Sequence, residues 1–515
     1  MKTDKITSSY RKNLGEHQFV VDVSMQKEEE GNISKVLSAT SEVYIDEIEM
    51  LNGEAHYSGA AVFNLLYVDE NGQTQVLSDE VDISGKLEND LINPLMKPIY
   101  TVEVVEVKVE NVSDDTIKLK TTINLKLDAI STEEVEEVVV ENDSVQVNKE
   151  SVATSKIVTS GAKSFELDEE FDSRLNVKRV LLTTHHIELK NVFAGTGYFT
   201  VEGEMFVNAL VEVETEEGLT LKNFMQTLPF KEEFEDELIE KDDEVLAFAY
   251  AKPKDVKVTI VSAEVDAEGA QQSTSTLKVD ATVMVKYLAE RVVESEVYTD
   301  AFSMTNKTNL LSGTFNSAKP SKLERFAATI DGQTVIGEDE PRIAKICAVT
   351  NEHLLIANSG VTDGELTVEG VAYATIIYLT DDDMPILNSV DLEIPFANKF
   401  DVGADFAGDI FVTGDVKDID AKAKKGKEIN VSLDVCFLAY SYGTETQVAL
   451  KDIELTEELP KSEYSLEMYM APKGSTLWDV LKHMLVTEEV LFTQNPELVF
   501  PLDSAKTIVH FRQSE

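Results

Sequence analysis

Tryptophan occurs once in this chain, cysteine twice and histidine seven times, and basic residues are outnumbered 46 to 96 by acidic ones. Each scarcity excludes something. Two cysteines cannot build a disulfide framework, and Cys347 and Cys436 both sit in apolar, strand-like runs, so they are expected as buried reduced thiols in a reducing compartment. No apolar run approaches the roughly 20 residues of a transmembrane helix, and Met1 to Gln18 is charged without the apolar stretch of a signal peptide. The expectation is a soluble protein, without a transmembrane segment, that stays in the cytosol. A net charge of -50 repels phosphate backbones, which argues against nucleic acid as a partner. The acidic runs Glu133 to Asp143 and Glu232 to Glu244 read as solvated faces and loops that discourage edge-to-edge association.

Catalytic signatures are missing as well. The chain has no Gly-x4-Gly-Lys-Ser/Thr phosphate loop, no His-Glu-x2-His, no Gly-x-Ser-x-Gly and no Cys-x2-Cys. Ser9 and Lys12 have the spacing of a Ser-Lys nucleophile pair, but in a polar N-terminal segment where chance explains them better. His185 and His186 point to opposite faces of a strand, so they cannot chelate one ion together and read as ordinary strand histidines. Asp381 to Asp383 lacks the alternating ligand pattern of a calcium loop and reads as a hairpin tip. The expectation is no enzyme, no cofactor and no metal.

What the chain does have is a strand-and-turn pattern that occurs three times. Gly53 and Gly59 open the first copy, Gly197 and Gly203 the second, Gly364 and Gly370 the third. A spacing of six predicts both glycines on one face of a strand, where a missing side chain marks a bulge or the close approach of another backbone. After each pair come an apolar run and a turn: Ala60 to Val68 with Asp69-Glu70-Asn71-Gly72, Glu204 to Val213 with a turn ending at Gly218, and Val371 to Leu379 with Asp381 to Asp383. Each reads as a hairpin. The returning strand carries Leu228-Pro229-Phe230 with Phe234 in the second copy and Ile394-Pro395-Phe396 with Phe400 in the third. The first copy, with Ile83 and Leu87 there, is the most divergent. Each copy closes on an alternating strand, Thr116 to Leu127, Thr276 to Tyr287 and Glu428 to Ala439. The second glycines lie 144 and 167 residues apart, which is the size of whole domains.

The last 50 or so residues change character. Ser475 or Thr476 can cap a helix with Leu477, Leu481 and Leu485 at helical spacing, and Thr487 caps a second that stops before Asn495-Pro496. Short strands, Leu466 to Met470 and Thr507 to Phe511, flank the pair. The Gly474-Ser475-Thr476-Leu477-Trp478 turn, the Val486-Thr487-Glu488-Glu489 helix start and Asn495-Pro496 resemble a LysM domain in order and spacing. Two positions depart from that pattern, Asp503-Ser504-Ala505-Lys506 before the last strand and Ser475 where Asp is common. Both touch the loops near which glycan-binding LysM domains hold N-acetylated sugars.

Long β repeats followed by one LysM-like end piece resemble the spore-coat morphogenetic proteins of endospore-forming bacteria, the SipL type and more distantly the SpoVID type, whose repeated module is called SPOCS. Val43 to Ile48 also looks like the start of such a module. The resemblance implies a mother-cell protein at the forespore surface and in the spore coat. It would bind the basal-layer coat ATPase, SpoIVA, through LysM, associate with other coat proteins and promote encasement.

The expected fold is mainly β. It comprises an N-terminal tail (1–14), three sandwich-like SPOCS modules (15–150, 151–312 and 313–460) and an α/β LysM domain of strand-helix-helix-strand order (461–515). Linkers are expected over residues 143–161, 305–321 and 456–464. The expected partner-binding surface combines Lys473, Gly474, Ser475, Thr476 and Trp478 with Gln494, Asn495 and Pro496, on loops expected to lie together at one end of the sheet. Trp478, the sole tryptophan, reads either as an interface anchor or as packing for a small core. A second reading stays open here: a cell-wall protein whose LysM domain holds peptidoglycan or its precursors, with the β modules as a stalk.

Overall fold

The computed structural model describes residues 2–511 apart from 27–31, 113–115, 217, 265–273, 339, 383–384, 404–405, 407, 425 and 461–464. Asp383 and the end of the expected third linker lie outside the described residues. The chain is mainly β, with twenty strands and two short helices among the described residues.

The first copy comprises β1 (Lys2–Gln26), β2 (Ile33–Met50), β3 (Glu54–Asp69), β4 (Thr74–Glu88), β5 (Lys97–Val112) and β6 (Thr116–Val139). The second comprises β7 (Val145–Asp172), β8 (Val177–Gly195), β9 (Tyr198–Thr215), β10 (Gly218–Glu235), β11 (Glu244–Glu264) and β12 (Thr274–Ser303). The third comprises β13 (Asn306–Val335), β14 (Ile343–Thr362), β15 (Glu365–Thr380), β16 (Leu387–Asp401), β17 (Asp409–Lys424) and β18 (Glu428–Glu458). All three share one topology. The middle three strands form one antiparallel sheet, and the first, sixth and fifth form another. Between the two sheets lies an apolar core, with Phe63 and Ile123 in the first copy, Phe199 and Val283 in the second, and Ile376 and Phe437 in the third.

The repeat glycines have two different jobs. Gly53, Gly197 and Gly364 lie in the turns ahead of β3, β9 and β15, with φ near +80°, a region that penalises any side chain. They are not strand residues, so the same-face expectation fails for them. Gly59, Gly203 and Gly370 are strand residues, each facing Ile45, Leu189 or Ile356 beside a bulge on the preceding strand. A Cβ on Gly370 would stand 2.2 Å from the Leu355 carbonyl oxygen and 2.8 Å from the Phe396 ring. Phe230 and Phe396 pair directly with Gly203 and Gly370 and fill the space a side chain would take. In the first copy the smaller Ile83 pairs with Gly59.

The tail and the first two linkers are structured, contrary to expectation. Residues 2–14 lie in β1 and pair with β6; 145–161 lie in β7 and 306–321 in β13. Glu133 to Val139, in the first acidic run, belong to β6 and not to a loop. These stretches are polar on the side that meets water, which masks the alternation that buries Ile6, Val135, Val152, Val297 and Phe315. The first and last strands of each copy therefore project beyond their sandwich as a two-stranded ribbon.

The three copies close on one another. Ile6 and Val135 of the first ribbon, Val152 and Val297 of the second, and Phe315 and Ala449 of the third form one buried cluster. Below the ribbons, Leu66, Leu210 and Ile377, each seven residues past its repeat glycine, meet in a second shared cluster. Equivalent residues meeting at one place give the body an approximate threefold arrangement. A single bridge, Ser9 to Ser155, joins β1 to β7, so the first two copies share a six-stranded sheet.

After the third copy come β19 (Leu466–Ala471), α1 (Leu477–Met484), α2 (Glu488–Gln494) and β20 (Lys506–Phe511). Thr476 caps α1 in a capping box with Asp479, and Thr487 caps α2. Val480, Met484, Leu491 and Ile508 form the core of this end domain, which extends onto Phe302 of β12.

Candidate functional sites

The end domain holds the residues expected to bind a partner, and most of their polar groups are already engaged. Ser475 is buried with its hydroxyl donated to the Pro472 carbonyl at 2.9 Å. Thr476 serves the capping box. Asn495 is buried, donates to the carbonyls of Leu491 and Val509, and accepts from the Val509 amide. Gln494 brackets Phe511 in the same way, accepting from its amide at 2.7 Å and donating to its carbonyl at 3.0 Å. Lys473 and Pro496 are exposed, and Gly474 takes φ +87° in the turn, its amide bonded to the Leu502 carbonyl.

Trp478 has a partner within the chain. Its indole N–H donates to Asp300 at 2.8 Å, its ring lies 5.2 Å from that of Phe302, and Lys482 pairs with the same Asp300 at 2.6 Å. The end domain is thus docked on the end of β12.

The two expected loops do not come together. Ala471, which leads into the Pro472–Thr476 turn, pairs with Lys506, whereas Gln494 and Asn495 hold the other end of β20 at Val509 and Phe511. The strand β19 separates them. Its alternation sends Ala471 inward and leaves Leu466, Met468 and Met470 outward, with Met468 and Met470 66% and 72% exposed. This apolar strip, with Phe511 and Val499 also exposed, runs from one loop to the other. Sequence reasoning missed it because alternation shows which residues share a face and not which face the helices cover.

A second site lies where the three copies meet. A cavity of about 770 Å³ is walled by β2 and β5 of the first copy, β8 to β10 of the second, and β14, β17 and β18 of the third. Counted from the repeat glycines, Glu42, His186 and His353 are equivalent positions, facing Val62, Phe206 and Tyr373. One position earlier, Ser41, His185 and Glu352 are likewise equivalent and line the same wall, where β14 carries an extra bulge between Thr350 and His353.

His186 lies 3.4 Å from Asp415 and 3.7 Å from the Cys436 thiol. Burial alone would lower its pKa, but Asp415 and Cys436 outweigh it and push the imidazole up to about 10. Asp415 lines the cavity with its side chain 52% exposed, which weakens the pair relative to a fully buried one. Burial raises the Glu42 carboxyl to about 7, helped by the nearby charge of Glu352, which burial raises too. Burial lowers both His185 and His353 and keeps them neutral near pH 7.

Glu352 accepts from Asn208 at 2.7 Å and Thr184 at 3.4 Å through Oε1. Its Oε2, Glu42 Oε1, His185 Nδ1 and His353 Nε2 are buried in the cavity wall with no partner. Among the described residues no group of three or more His, Cys, Asp or Glu converges as a metal site. The sequence signal for this site was the register itself: aligning the copies on Gly59, Gly203 and Gly370 stacks polar residues at one place in an apolar strand.

Three repeats of a two-sheet β module, closed on one another and ending in a small docked α/β domain, define a multidomain, mainly β protein. Residues 342–424, from the start of β14 to the end of β17, match the family described as SipL, SPOCS domain. This is a structural, scaffold family, and the match supports a SipL-like, sporulation coat-related protein. No curated protein and no solved structure matches the chain. Among the described residues no helix is long and apolar enough to cross a membrane.

Proposed function

We propose that the protein is a non-enzymatic scaffold of the spore coat. It works in the mother-cell cytoplasm at the forespore surface and binds the basal-layer coat ATPase, SpoIVA, through its LysM-like end domain. The observation that carries this reading is the SPOCS match at residues 342–424, in one of three copies with a common topology. The topology supports reading the first two copies as divergent SPOCS modules. By engaging further coat proteins, the three would help the coat encase the spore.

The apolar strip of β19 supports a protein as the end domain's ligand. Interface anchors are typically apolar side chains at the centre of a polar rim, and Leu466, Met468 and Met470 are flanked by Lys473 to Thr476 at one end and Gln494 to Pro496 at the other. Trp478 contributes by holding the domain against Asp300.

Imaging a fluorescent fusion in sporulating cells, with identification of what co-purifies, tests this. A ring at the forespore that depends on SpoIVA is expected. A vegetative cell-wall pattern with peptidoglycan as the retained ligand would replace the coat reading.

A further inference from the structure

Acceptors outnumber donors among the unpartnered groups of the cavity between the modules. His353 Nδ1 lies 3.0 Å from the Asn351 carbonyl and His185 Nε2 lies 3.0 Å from the Ala251 carbonyl. A carbonyl can only accept, so these nitrogens carry the protons and the opposite nitrogen of each neutral ring is an acceptor. The four unpartnered atoms named above, Glu42 Oε1, Glu352 Oε2, His185 Nδ1 and His353 Nε2, are therefore all acceptors in the ionised carboxylate state. The cations nearby are taken: Lys417 pairs with Glu188 at 2.6 Å, and His186 with Asp415. A buried acceptor left without a donor is destabilising. The Ser41 and Thr101 hydroxyls, also unpartnered in this wall, can supply at most one donor each, so the four acceptors still call for a donor from outside the chain.

We propose that this chamber binds a small organic cation carrying more than one primary ammonium group, with Glu42 and Glu352 as its principal partners. An anion would meet the carboxylates that line the chamber, including Asp415, Asp418 and Asp434. The absence of a converging ligand set among the described residues argues against a bare metal ion. An ammonium offers three donors in different directions, which suits acceptors spread over β2, β8 and β14. Glu42 and Glu352 both line the chamber. A polyamine held between Glu42 of the first module and Glu352 of the third would also brace the closed body. The inference does not depend on the coat role.

Isothermal titration of the full chain with spermidine tests it, at physiological salt to suppress binding to the acidic surface. One site per chain is expected, weakened about tenfold or more by Glu42→Gln and by Glu352→Gln. The exposed control Glu166→Gln/Glu170→Gln should leave it unchanged. Circular dichroism confirms that the variants fold. In the unmutated chain, spermidine should slow hydrogen exchange over residues 40–43 and 351–354. No saturable binding, equal affinity in both cavity variants, or only the multi-site heat that the surface control removes would overturn the proposal.

Discussion

The guanidinium of Arg11 lies 4.1 Å from the centre of the Tyr442 ring, and this contact ties the first module to the third. Arg11 also pairs with Asp128 at 2.5 Å, both side chains 5% exposed, and Tyr442 donates its hydroxyl to the same carboxylate at 3.1 Å. A charge pair so deeply buried holds only while both members are present. Arg11→Met leaves Asp128 buried without its cation and should destabilise the chain by about 3–5 kcal/mol in urea unfolding. Arg11→Met/Asp128→Leu should recover much of that loss.

The two kinds of repeat glycine should respond differently to alanine. Gly370→Ala drives a methyl into the Leu355 carbonyl and the Phe396 ring, and should cost about 1–3 kcal/mol or more. Gly197→Ala meets no atom within 4 Å and pays only for its positive φ, about 1–2 kcal/mol. Thermal denaturation of the two variants gives the comparison.

Glu42 makes stability depend on pH. Its carboxyl is raised from 4.5 in the unfolded chain to about 7 in the folded one, so the folded state favours the protonated form. The penalty is absent below pH 4.5, grows as pH rises and is complete above about 7. Glu42→Gln should therefore stabilise the chain at pH 8 by about 1–3 kcal/mol and have no such effect at pH 4.5, as chemical denaturation at the two pH values will show.

Because Trp478 is the sole tryptophan, its fluorescence reports the docking of the end domain. Asp300→Ala removes the acceptor of its indole N–H and the partner of Lys482. The emission should shift to the red and acrylamide quenching should rise, while the unfolding of the β modules stays where it was.

The sequence made the alternating strands, the hairpin after each repeat glycine and the strand-helix-helix-strand order of the end domain legible, because each is set by local periodicity and capping. It hid the ribbons: residues 5–13 and Val145 to Gly161 look like polar linkers until closure buries Ile6 and Val152 against the other copies. It also hid the cavity. Glu42 and Glu352 lie 310 positions apart in a chain full of acidic residues, and only closure of the three modules makes their placement unusual. Trp478 could not be assigned from its surroundings in sequence, since its partner Asp300 belongs to another module.

The proposed role rests on the end domain's grip on the basal coat layer, which capture of purified SpoIVA by the full chain on a biosensor measures directly. The unmutated protein should bind, and Met468→Lys/Met470→Lys should weaken binding by about thirtyfold or more, equivalent to the loss of about 2 kcal/mol at an anchor. Circular dichroism and Trp478 emission should be unchanged, since both methionines face away from the core. Undiminished capture by the variant would contradict the apolar strip as the binding face, and failure of the unmutated chain to capture the ATPase at all would contradict the proposed role itself.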